Sequence, residues 1–161
     1  VNAVAEQWFL KIDGIEGEST NDLHKGEIDV ESWSWGVQAG APASGPGFGG
    51  GRAAFQDMSF VARISKASPS LLLACANGTH HKVATLSGAR SVGKTVDYLN
   101  YKLSDVLVTS VQHSDSEADA PMEQFSLRYG KFEMSYSPLT SSGKLGPPSK
   151  ASFDVQQSKQ F

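Results

Sequence analysis

The sequence predicts a mainly β fold, a two-sheet antiparallel β-barrel or sandwich with one short flanking α-helix. Three observations carry that expectation. Apolar and polar residues alternate with the period of a half-buried strand in one segment after another. One stretch alone carries helical start and stop signals. The glycines and prolines, 16 and 7 in number, concentrate at Gly40 to Gly51 and Pro138 to Pro148, where they read as long loops on a folded body. A chain of 161 residues is expected to form one domain over residues 1–161, which excludes a multidomain enzyme.

The first strand is EQWFLKID, with Trp8, Leu10 and Ile12 on one face and Phe9, Lys11 and Asp13 on the other. From Glu27 to Gln38 the apolar set begins at Ile28 and Val30, then changes parity to Trp33, Trp35 and Val37. A bulge near Glu31 or Ser32 would return both sets to one face. Phe55 to Arg63 sets Met58, Phe60 and Ala62 against Ser59, Val61 and Arg63. Lys82 to Ser87, Val96 to Leu103 and Val106 to Gln112 are rich in β-branched or aromatic residues and read as further strands. Glu123 to Tyr136 changes parity about Gly130, which predicts a bent strand there.

The helix is SPSLLLACANG. Ser68 is placed to cap it, Pro69 suits the first helical position, and Gly78 can adopt the left-handed closing conformation. Leu71, Leu72 and Cys75 are expected on its inner side, which makes Cys75 a small buried hydrophobe. Because it is the only cysteine, no intrachain disulfide and no cysteine-rich metal or redox site can form.

Charge and composition narrow the function. Fourteen Lys and Arg oppose seventeen Asp and Glu, a net charge of −3 without the positive excess that phosphate-backbone binding needs, so no nucleic-acid partner is expected. Leu71 to Ala76 is the longest apolar run and is far short of the roughly 20 residues of a bilayer span, so no membrane insertion is expected. VNAVAEQWFL shows no basic region followed by an apolar one, so the general secretory route is not expected either.

The sharpest enzyme-like motif is GARSVGKT, Gly88 to Thr95, which satisfies the phosphate-loop pattern. In that reading Lys94 would reach phosphates and Thr95 would hold magnesium ahead of a helix. Val96, Tyr98 and Tyr101 favour a strand instead, which turns the motif into a hairpin loop, and the alternating pattern of a parallel sheet is missing. Gly45, Gly47 and Gly50 fit a dinucleotide pattern in spacing only, with Pro46 intervening. His24, His80, His81 and His113 read as surface or turn residues, and adjacent His80 and His81 on a strand would face opposite ways. Asp115, Glu117 and Asp119 form an acidic turn lacking the glycine and terminal Glu of a calcium loop. No serine elbow is present, no cofactor is expected, and Asn77-Gly78-Thr79 reads as a chance sequon.

The segments FLKIDGIEGEST, HKGEIDVESWSWG, GGGRAAFQDMSF, KASPSLLLACANG, YLNYKLSDVLVTSVQ and FSLRYGKFE, taken in order, resemble the Hcp family, the tube protein of bacterial type VI secretion. The resemblance covers nearly the whole chain and is weakest at His113 to Pro121 and in the tail 141–161. It implies a non-catalytic subunit, six of which close into a ring that stacks into a hollow tube. It further implies assembly in the cytoplasm within a contractile sheath, capping by a spike, and export with effector proteins. The loop 39–52 matches the family's connection to a neighbouring subunit or ring, so Ala43, Ser44, Gly45, Pro46, Gly47, Phe48 and Gly49 are expected to make inter-subunit contacts. If Trp33 and Trp35 face the core, alternation turns Ser32 and Ser34 outward, onto a small polar surface suited to a wet lumen. A related phage-like tail-tube subunit and a nucleotide-binding protein are the alternatives.

Overall fold

The structure is a computed structural model that describes residues 5–40, 52–92, 94–115 and 120–161. Its elements are β1 (Ala5–Ile12), β2 (Ile28–Val30), β3 (Ser32–Ser34), β4 (Val37–Gln38), β5 (Ala54–Phe55), β6 (Met58–Arg63), α1 (Ala67–Asn77), β7 (His80–Val92), β8 (Lys94–Ser114), β9 (Met122–Arg128), β10 (Lys131–Tyr136) and β11 (Ser149–Asp154). A nine-stranded sheet runs β2-β1-β7-β8-β9-β6-β3, with β10 pairing β8 and β11. β4 and β5 form a separate two-stranded ladder. Every described strand pair is antiparallel, as the alternation predicts.

The two ends of that strand order, β2 and β3, are separated in the chain by Glu31 alone. The sheet therefore curls into a barrel whose ends are joined by the chain rather than by a ladder. Glu31 marks the crossing, where its amide donates to the Val61 carbonyl of β6 at 2.8 Å. The parity change seen in the sequence is the step from β1's side of the barrel to β6's side, rather than a bulge within one strand. Ile28 and Val30 face the core before it, and Trp33 and Trp35 pack against the core after it.

Leu10, Ile12, Met58, Phe60, Leu86, Leu103, Val106, Val108, Phe125 and Leu127 are fully enclosed. Burying each such side chain contributes about 1.5–3 kcal/mol before the entropy of ordering is counted, so the core carries the fold without a disulfide. Phe60 stacks on Phe125 at 5.1 Å. Trp33 meets Trp8 and Tyr101 edge-on, each at 5.2 Å.

Two strands expected separately, 96–103 and 106–112, are one continuous β8. The chain bends at Asp105, which has a φ of 55°. The Gly130 amide braces the bend by donating to the Ser104 and Asp105 carbonyls at 2.9 and 3.2 Å. The bent strand expected at Glu123 to Tyr136 is divided at Tyr129 and Gly130 into β9 and β10, both pairing with β8.

The helix starts one residue before Ser68, and Lys66 at its cap supplies no side-chain bond. The Ser65 hydroxyl accepts from the Ala67 amide at 3.2 Å. Ser68 lies buried inside the first turn, accepting from the Ser65 amide and donating to Glu123 at 3.1 Å. Gly78 closes the helix with φ 65°. Leu71 and Ala74 point inward and Cys75 is partly buried, but Leu72 is 51% exposed, contrary to its expected place on the inner side. A run of three leucines carries no helical period, so the run does not reveal which of them faces in.

Candidate functional site

Four strands of the barrel, β3, β6, β9 and β8, form a wall whose inner side is the core and whose outer side is polar. Register fixes this. Ser34 stands opposite Ser59, Ser59 opposite Ser126, and Ser126 opposite Ser110, a row of serines crossing all four strands. Ser32, Val61, Gln124 and Gln112 make a second row in the same way. Directly opposed residues share a face, and the intervening residues Phe60 and Phe125 are buried, so both rows turn outward.

The hydroxyls are tied together at one end. Between Val108 and Ser110 the β8–β9 register slips, leaving Thr109 as the extra residue of a bulge. Thr109 Oγ1 donates to Asp57 Oδ2 at 2.9 Å. Its oxygen is then free to accept from Ser126 Oγ at 2.7 Å, which in turn accepts from Ser110 Oγ at 2.5 Å. Arg128 Nε donates to Asp57 Oδ1 at 3.2 Å, so the chain of hydroxyls ends on a paired carboxylate. Beyond that pair the two rows are uncharged, and charge returns at the rim, where Arg63 meets Glu31 at 3.4 Å.

The wall has two unpaired margins among the described residues. β3 pairs only with β6. The β7–β8 ladder ends at His80 and Leu107, so β8 from Val108 to Ser114 pairs only with β9. Such edges present rows of free donors and acceptors that invite another strand.

Ser32 and Ser34, the residues proposed from the sequence for a polar face, lie exposed on β3 in this wall. Their partners Ser59, Ser126 and Ser110 escape sequence reasoning. Ser59 and Ser126 each lie between apolar neighbours, which signals an outward position, but Ser110 follows the bulged Thr109, and only the register shows that the three align. The expected contact residues Ala43 to Gly49 lie outside the described residues.

The hairpin expected for the GARSVGKT motif is the observed arrangement, and its phosphate-loop alternative falls. Gly88 to Val92 runs up β7 and Lys94 and Thr95 start down β8, with Val92 opposite Lys94 and Ser91 opposite Thr95, and strand rather than helix follows. Gly88 is opposite Trp8, and a Cβ there would lie 2.4 Å from the indole ring, so this glycine makes room for an aromatic. His24 lies in a turn, as expected, but is buried there rather than on the surface. Its Nδ1 lies 2.9 Å from Glu27 and its Nε2 2.8 Å from Asp97. His80 contacts Asp105, His81 the Asp13 carbonyl, and His113 the buried Glu123. Among the described residues no three His, Cys, Asp or Glu side chains gather as metal ligands, and no helix is long and apolar enough to cross a membrane.

A barrel that turns a hydroxyl-lined wall outward and leaves both margins of that wall open has the form of a wall-building, structural protein. Comparisons place it. Residues 9–136 match the family model described as "Type VI secretion system effector, Hcp". The chain is 37% identical to protein hcp1 of Pseudomonas aeruginosa, over 98% of this chain and 99% of that one. It superposes on the crystal structure of Hcp1 from Salmonella typhimurium with a TM-score of 0.80 and 31% identity, covering 98% and 99% of the two chains. A structure titled as a type six secretion system protein gives 0.89 and 25%, covering 98% and 100%. The chain belongs to the Hcp family, the tube-forming proteins of type VI secretion.

Proposed function

We propose that six copies of this chain close into a ring with the serine wall facing the bore, that rings stack into the secretion tube, and that effector proteins ride within it. The observation that carries the reading is the pairing of one polar face with two unlike open edges. A ring needs a heterologous contact, one patch meeting a different patch on the next copy, and the β3 edge against the Val108–Ser114 edge of β8 meets that requirement.

The dimensions agree with such a bore. Four strands about 4.8 Å apart span roughly 19 Å, so six copies give a circumference of about 115 Å and a backbone-to-backbone diameter of about 37 Å. Side chains reduce the opening to roughly 27 Å, enough for a folded segment of about 50 residues, whose radius of gyration is near 10 Å. Small hydroxyls suit transport, because weak bonds hold a cargo without trapping it.

In this reading the whole of residues 1–161 is one tube domain and performs no reaction of its own. Ala43 to Gly49 bear on stacking, the sheath surrounds the tube, and the spike caps it. Assembly is cytoplasmic, and the subunit leaves the cell with its effectors. Native mass spectrometry of the purified protein tests the ring, for which six subunits are expected and a monomer at high concentration would refute it. Ser34→Gln is then expected to leave the ring intact while weakening effector retention. Retention unchanged by that substitution removes Ser34 from the bore.

A further inference from the structure

The helix α1 contains no charged residue, and beside the exposed Ser70 and Asn77 its outer side carries an apolar stripe of its own. Pro69, Leu72, Leu73 and Ala76, at the i, i+3, i+4, i+7 spacing of one face, are all exposed, Leu72 by 51% and Leu73 by 60%. An apolar stripe on each of two sides of a helix ordinarily has a packing partner on each. The isolated subunit buries only the side bearing Ala67, Ser68, Leu71 and Ala74.

The position of the helix indicates what covers the other side. At its start, Ser68 bonds to Glu123, which bonds to His113 of β8. At its end, Gly78 and Thr79 lead into His80, opposite Leu107 of β8. The helix is therefore laid along residues 107–113, where from Val108 onward the outer edge lacks a strand partner. Eleven residues of helix span about 16 Å and six steps of strand about 20 Å, so the two lengths correspond. Whatever adds a strand to that edge also comes down beside the apolar stripe.

From this we infer that the outer face of α1 is a ring contact, covered by the β3–β4 side of the next copy of this chain. The inference rests on the ring reading above and adds the apolar half of the interface. That side of the neighbour has apolar side chains to offer. Trp33, Trp35 and Val37 follow one another at the strand period; Val37 is 50% exposed and both tryptophans are only partly buried. Edge-to-edge backbone bonds supply direction, and the apolar contact beside them excludes water and sets affinity.

The test compares wild type with Leu72→Ser/Leu73→Ser in native mass spectrometry and sedimentation over a dilution series. Both residues are exposed in the subunit, so the thermal midpoint of the monomer is expected to hold while the concentration needed for ring formation rises roughly tenfold or more. Leu73→Cys in a Cys75→Ala background gives a readout that tolerates loss of the double variant to misfolding. Maleimide labelling of Cys at that site is expected to be fast in monomer and strongly protected in the ring. Rings of undiminished stability in the double variant overturn the inference, as does equal labelling of ring and monomer, which is the result if this face stays wet or is kept for a different protein. Failure of wild type to form rings at all instead refutes the ring reading, and this inference with it.

Discussion

His24 lies flat on Phe9, ring centroids 4.5 Å apart, with a carboxylate at each nitrogen. Both partners can only accept, so both nitrogens must donate and the buried ring is an imidazolium. Burial opposes that charge, but the bonds and charges of Asp97 and Glu27 outweigh it and hold the pKa above its ordinary value of 6.5. Because the folded-state value is the higher one, the stabilisation is fully present below pH 6.5 and is lost as pH rises through the folded-state pKa. Melting temperature is therefore expected to fall over that alkaline interval, and His24→Gln to remove the slope at a cost of about 1–3 kcal/mol at acid pH. An unchanged slope in the variant would place the titration elsewhere. A second residue-scale expectation concerns Gly88, where Ala would press its methyl into Trp8 and cost about 1–3 kcal/mol in a urea melt, with Trp8→Leu relieving most of the loss. Neither role is legible in the sequence. His24 needs Asp97, 73 residues away, and Gly88 stands in a motif that mimics phosphate binding.

Among the elements, the strands were the legible part, because each alternation records which side of one segment is dry. Lengths and joins were less so. The bend at Asp105 interrupts the pattern of β8 without ending the strand, and the parity change at Glu31 reads as a bulge until the strand order shows the two ends of the barrel meeting there. The serine wall is a property of register, and single segments do not carry register. The docking of α1 was hidden for a similar reason, since its polar anchor Ser68 looks like a cap. Glu123 is 1% exposed and accepts from Ser68 and His113. Ser68→Ala removes one donor from a buried carboxylate and is expected to cost about 1–3 kcal/mol, with faster amide exchange across α1. Ser70→Ala, on the exposed side of the same turn, is expected to change little. Equal effects of the two would mean that the Ser68–Glu123 bond does not hold the helix.

At the scale of the whole molecule, contacts around a ring and contacts between rings draw on different parts of the chain. The ring contacts proposed here use the edges of β3 and β8 and the outer face of α1, all within the described residues. Stacking is assigned to Ala43 to Gly49, a stretch with Phe48 as its one large apolar side chain. The described strands and helix all lie outside it, so deletion of residues 43–49 is expected to leave thermal stability and the six-subunit mass unchanged. Tubes seen by electron microscopy should then be lost, leaving separate rings. Phe48→Ala, which keeps the length of the segment, is expected to lower tube yield in the same direction if that side chain anchors the contact. Tubes of normal length from the deletion would transfer stacking to the barrel's own ends, whereas collapse of the rings themselves would show that the segment works within the ring rather than between rings.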